Sequence, residues 1–166
     1  MIHNTHVSQF IPPTVWHYAT ATMTQVAGNV AGTIAMNRAA ANQTSVINIP
    51  IMIPSNSVAL QGAKLTSIEV DFENAVAEAT SFTWTLNKVT RGAEGAVAVV
   101  AAVTKTDAIA TATAKTVDQH KQVVTLTTPE WVDNDVYYLL ELSLVAGAGG
   151  QTNHFLGAVA NFTLRM

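Results

Sequence analysis

The sequence predicts an all-β protein: a two-sheet β-sandwich of jelly-roll type with an extended N-terminal arm. Three observations predict it. About nine or ten short runs alternate apolar with polar residues, or are rich in β-branched and aromatic side chains, as half-buried strands do. Turn residues (Gly, Pro, Asn, Asp) separate the runs. No stretch carries the apolar period of a long helix. In a chain of 166 residues this pattern means a sandwich or barrel, and a two-sheet jelly roll is the favoured solution.

The chain divides into an arm, residues 1–14, and a sandwich domain, residues 15–166. The arm is polar and aperiodic as far as Gln9, then reads Phe10-Ile11-Pro12-Pro13. Two prolines favour polyproline II and cannot enter a central strand. The apolar Phe10-Ile11 tip needs somewhere to dock, on its own domain or on a neighbour.

Thr14 to Gln25, with Trp16, Tyr18, Thr20 and Thr22 alternating, predicts a strand, and Ala27-Gly28-Asn29 a turn. Gly32 to Arg38 predicts the next strand. Ser45 to Ile53 is another, and Pro50 inside it argues for an edge or a bulge. Lys64 to Glu73 alternates cleanly: Ile68, Val70 and Phe72 on one face, Ser67, Glu69, Asp71 and Glu73 on the other. Ser81 to Val89 places Phe82, Trp84 and Leu86 together. Residues 96–116 allow a helix by their alanines. Their valines and Thr-Ala alternation favour two strands, Ala96–Thr104 and Ile109–Lys115, about Lys105-Thr106-Asp107. Lys121 to Thr128 follows. Val136 to Val145 is apolar on both faces, as a central or covered strand is. His154 to Leu164 closes the chain.

Charged residues make up only 11% of the chain, against roughly 25% in an average domain. Such a surface either meets other subunits or belongs to a neutral, Thr/Ser/Asn-coated monomer. With 8 basic residues scattered along the chain and a net charge of −3, there is no electrostatic footprint for nucleic acid. There are 0 cysteines, so thiolate chemistry and Cys-type zinc sites are excluded. No basic-then-apolar leader opens the sequence, and no run is long enough to span a bilayer. This predicts neither secretion nor membrane insertion.

No catalytic or cofactor motif is present. Nucleophile elbow, P-loop and dinucleotide fingerprints are all missing, and the reading is a non-enzyme without cofactor or metal. His3 and His6 lack a nearby third ligand. Asp133-Asn134-Asp135 has the spacing of oxygen ligands but not the rest of a calcium loop, and an Asx-rich turn accounts for it. The Glu69/Asp71/Glu73 stripe reads as the solvent face of an exterior strand. Trp84 reads as core. Trp131 sits in a turn, where it either caps the domain or offers a platform for a sugar, with Tyr137 or Asn153 beside it.

Two segments resemble small β-sandwich virion proteins of tailed phages: Ile49 to Pro54 followed by Gly62 to Phe72, and Asn134 to Leu140 leading to Phe155 to Val159. The resemblance implies a capsid decoration or tail/fibre subunit, located in the virion and assembled in the host cytoplasm. It also implies a homo-oligomer, a trimer foremost, with a major capsid or tail protein as partner. Docking is then expected through Phe10, Ile11, Pro12, Pro13 and the charge-poor faces. The alternative is a carbohydrate- or receptor-binding module centred on Trp131, with a glycan as partner.

Overall fold

The computed structural model describes residues 4–20, 22–27, 34–41, 44–52, 62–94, 96–132, 135–145 and 151–165. The turn at Gly28-Asn29, the Asp133-Asn134 pair and Gly147–Gly150 lie outside these residues. The strands are β1 (Asn4–Ile11), β2 (His17–Tyr18), β3 (Met23–Ala27), β4 (Ile34–Ala41), β5 (Thr44–Met52), β6 (Ala63–Ala75), β7 (Ser81–Thr90), β8 (Val99–Ala102), β9 (Lys105–Asp107), β10 (Asp118–Leu126), β11 (Val136–Val145) and β12 (Gln151–Arg165). One helical turn, α1 (Thr111–Ala114), and a 3-10 turn, Pro13–Val15, complete the described elements.

The strands form two antiparallel sheets, as the sequence predicts. The larger has seven strands in the order β3-β4-β12-β6-β10-β9, with β1 paired to the C-terminal half of β12. The smaller has five, in the order β2-β5-β11-β7-β8. β11 is central in its sheet, as its two apolar faces demand. The sheets close over an aromatic core: Phe72 of β6 stacks on Phe82 of β7 at 4.7 Å between ring centroids, with Trp84 tilted against both. Trp84 is core, as expected.

The segment read as an arm lies in its own domain's sheet. Asn4–Ile11 pairs residue by residue with Arg165–Ala158. Alternation then sends Ile11 inward, where it is buried, and Phe10 outward, 62% exposed. Pro12 and the buried Pro13 end the strand. Tyr18 Oη donates to the Pro13 carbonyl (2.7 Å) and Trp16 Nε1 to the Ile11 carbonyl (3.3 Å), so Trp16 plugs the core beside Phe155.

Several expectations are corrected. Thr14 to Gln25 is not one strand, because the Pro12-Pro13 turn and the inward Trp16 interrupt it and only β2 and β3 remain. His17 is exposed next to Asn48. Ile109–Lys115 is not a strand: Asn74 Nδ2 donates to the carbonyls of Ala114 (2.7 Å) and Thr116 (3.0 Å), and this holds the segment as a helical turn with Ala114 buried. Lys105-Thr106-Asp107 is itself a strand, not the turn between two. Pro50 sits where only β11 pairs with β5, because β2 reaches no further than Asn48. Its missing N–H therefore leaves no gap in the ladder.

A polar chain crosses the interior at one end. Arg38 is 1% exposed. Its Nε donates to Asn153 Oδ1 (2.9 Å), Nη2 to the Gln151 carbonyl (2.9 Å) and Nη1 to Ser45 Oγ (3.3 Å). Asn153 Nδ2 in turn donates to Asn74 Oδ1 (2.6 Å). Burial pushes the Arg38 guanidinium below its ordinary pKa.

Candidate functional site

The outer face of the seven-stranded sheet brings together residues far apart in sequence. Phe10 pairs with Val159, which pairs with Glu69; Gly157 pairs with Asp71, which pairs with Lys121; His154 pairs with Glu73, which pairs with Gln119. Because alternate residues share a face, Glu69, Asp71 and Glu73 all point outward, as their stripe predicts. Leu156 is the extra residue of a bulge in β12, between Phe155 and Gly157.

Phe10 is the exposed aromatic of this face. Its ring lies across Gly157, where φ is +150°, and a β-carbon at position 157 would stand 2.6 Å from Cε2 and 2.7 Å from Cζ of the ring. Only glycine leaves this seat open. Beside it is a hollow of about 330 Å³ lined by Asp71, Phe72, Gln119, His120, Lys121 and Leu156. This is the lower end of the size range of small-ligand sites.

The polar groups around the hollow are ordered. Lys121 Nζ donates to Glu69 Oε2 (3.1 Å), and Asn161 Nδ2 to Glu69 Oε1 (3.2 Å). These bonds hold the Glu69 carboxyl below its ordinary pKa, and the same carboxylate, with Asp71 nearby, raises that of Lys121. His154 Nδ1 lies 2.8 Å from Glu73 Oε2. Ser8 Oγ donates to Asn161 Oδ1 (2.7 Å), tying the Phe10 strand to the same network. The Asp71 side chain has no hydrogen-bond partner among the described residues, so its oxygens stay open to a ligand. The face therefore offers an apolar ring, a carboxylate acceptor, an amide and an ammonium donor within one surface.

Trp131 lies elsewhere, at an end of the sandwich. It lines a hollow of about 350 Å³ with Lys88, Thr90, Val132, Asp135 and Val136. Lys64 Nζ stands 5.0 Å and Arg165 Cζ 4.4 Å from its ring. The adjacent Val132 bridges to Ala63. This is the geometry of a cap. Tyr137 is not among the residues that line this hollow, and Asn153 is fully buried in the Arg38 network. Of Phe10, Ile11, Pro12 and Pro13, Ile11 and Pro13 are buried and Pro12 is half-buried; Phe10 is the exposed one.

Among the described residues no group of three or more His, Asp or Glu side chains could hold a metal ion, and no helix is long and apolar enough to cross a membrane.

No family model and no curated protein matches the chain. Among solved structures it is similar to TmCBM61 in complex with β-1,4-galactotriose, with TM-score 0.49, 9% identity, and coverage of 90% of this chain and 89% of that one. It is also similar to the CBM22-1–GH10 modules of Clostridium thermocellum endo-1,4-β-D-xylanase 10B complexed with xylohexaose (TM-score 0.43, 12% identity, 97% of this chain and 28% of that). A third is the arabinose-bound MgGH51 α-L-arabinofuranosidase (TM-score 0.43, 11% identity, 92% of this chain and 24% of that). The chain spans about a quarter of the length of the latter two. Similarity this low carries no inference about ligand, and the β-sandwich stands on the chain's own strand pairing. None of the three is a virion protein, so the resemblance to tailed-phage proteins gains no support.

Proposed function

We propose that the chain is a non-catalytic carbohydrate-binding β-sandwich module, and that it holds a saccharide on the outer face of its larger sheet. The observation that carries this reading is the seating of Phe10 on Gly157 beside the Asp71 carboxylate. A pyranose has a flat C–H face and a rim of hydroxyls. The Phe10 ring takes the C–H face, and Asp71, Gln119 and Lys121 take the hydroxyls. The bonds among Lys121, Glu69 and Asn161 already fix part of this face, which lowers the cost of organising it on binding.

The test is electrophoresis of the native protein through gels containing soluble galactans, xylans, arabinans, β-glucans or mannans. Retardation by at least one, lost in Phe10→Ala at unchanged melting temperature, is the expected result. Free migration through all of them, or equal retardation of the variant, removes this site.

An assembly role, including the decoration or tail/fibre part suggested by sequence, draws on a different observation. The smaller sheet ends in an exposed apolar strand.

A further inference from the structure

The two sheets end differently on the side where the chain passes from β8 to β9. The edge of the larger sheet, β9, is three residues long and carries the Lys105–Asp107 ion pair at 2.6 Å. A short, charged strand is a guarded edge. The edge of the smaller sheet has no such guard. From Ala96 to Ala102 every residue is exposed, and Val97, Val99 and Val100 are 91%, 65% and 62% exposed. No charged residue or proline stands between Glu94 and Lys105. Among the described residues β8 pairs only with β7, through Val99↔Thr90 to Ala102↔Asn87.

The run is close to palindromic. About Val100 it reads Val97-Ala98-Val99 on one side and Ala101-Ala102-Val103 on the other. A two-fold axis through Val100 sets Val100 against its own copy, with Val99 meeting Ala101, Ala98 meeting Ala102 and Val97 meeting Val103. Small apolar residues then face small apolar residues at every step. Behind the edge, one register row crosses the sheet as Met52, Tyr137, Val89 and Val100, and Met52 is itself 60% exposed. Pairing two edges would join two such rows into one apolar band.

We infer that β8 is a self-association edge, through which two copies of this chain pair antiparallel about a two-fold axis at Val100 and form one continuous sheet. A two-fold contact needs a self-complementary surface, and this strand is one. Main-chain hydrogen bonds supply the attraction and the valines exclude water. The inference is independent of the saccharide reading. If both hold, the dimer presents two Phe10 faces and gains avidity on a polymeric ligand.

The test is light scattering of the full chain over a concentration series, with Val100→Lys alongside. A dimer that becomes a monomer in Val100→Lys, at unchanged melting temperature, is expected. A wild-type monomer at every concentration, a trimer, or a dimer that survives the substitution overturns the proposal. A second measurement fixes the register. The chain has no cysteine, so Val99→Cys and Val100→Cys proteins are each oxidised alone. Antiparallel partners come close enough for a disulfide only at opposed positions. Val100→Cys, which opposes its own copy, is expected to cross-link several-fold more than Val99→Cys, and equal yields, or a higher yield from Val99→Cys, contradict the two-fold axis at Val100.

Discussion

Phe10 lies across Gly157, its ring occupying the space where any other residue would carry a β-carbon. The two residues sit on paired strands 147 positions apart in the chain, and neither has a purpose on the outer face without the other. The seat is a property of the pair.

Gly157→Ala follows directly. The new methyl meets the ring and the backbone holds a positive φ, so the variant is expected to lose about 1–3 kcal/mol of stability and to release Phe10 from its position. A double-mutant cycle with Phe10→Ala checks it. The cost of Gly157→Ala is expected to shrink once the ring is gone, because part of it is the contact between them. Additive costs would mean that the ring is not seated on the glycine.

Much of this fold is legible in the sequence, and the misses have physical causes. The alternation of Lys64 to Glu73 and the two apolar faces of Val136 to Val145 identify β6 and β11 because local period and burial agree there. Thr-Ala alternation over Ile109–Lys115 suits a strand, but the deciding contact comes from Asn74, far away in sequence. Trp16 looks like a strand residue and instead caps the core, because two prolines turn the chain before it. The candidate site was half visible. Ile11 is a natural core residue, and alternation from it would have put Phe10 outside. That Phe10 shares a face with Asp71 and Lys121 depends on β1 pairing with β12 and β12 with β6, which no local pattern encodes.

The buried Arg38 is expected to be the most sensitive polar position in the core. Arg38→Met leaves Asn153 Oδ1 and the Gln151 carbonyl without this donor inside the sandwich and is expected to cost about 3–5 kcal/mol. Arg38→Lys does not restore it, since one ammonium cannot reproduce the guanidinium fork. Urea midpoints at unchanged slope measure both.

Tyr138 gives a pH prediction. Its hydroxyl is buried with no hydrogen-bond partner among the described residues. Burial, helped by the charge of Glu130, pushes its pKa from 10.0 up to about 12. A raised folded pKa favours the neutral phenol, so this contribution to stability is whole below pH 10 and falls as pH rises from 10.0 towards 12. Tyr138→Phe is expected to be neutral or stabilising by up to about 1 kcal/mol at neutral pH. It should also flatten the alkaline limb of a melting-temperature profile. A steeper limb in the variant would contradict this account.

Trp131 is expected to matter for stability and not for ligand. Trp131→Ala removes the ring that Lys64 and Arg165 approach, and is expected to cost about 1–3 kcal/mol while retardation by the saccharide persists. Thermal melts and the affinity gels together separate the two effects.

The most direct test of the saccharide face is an amide chemical-shift titration of the labelled protein with the polysaccharide fragment that retards it best. The account predicts that the largest shifts cluster at Phe10, Asp71, Gln119 to Lys121 and Leu156 to Val159, and vanish in Phe10→Ala. Shifts centred on Trp131 and Val132, with the Phe10 face unmoved, would contradict it.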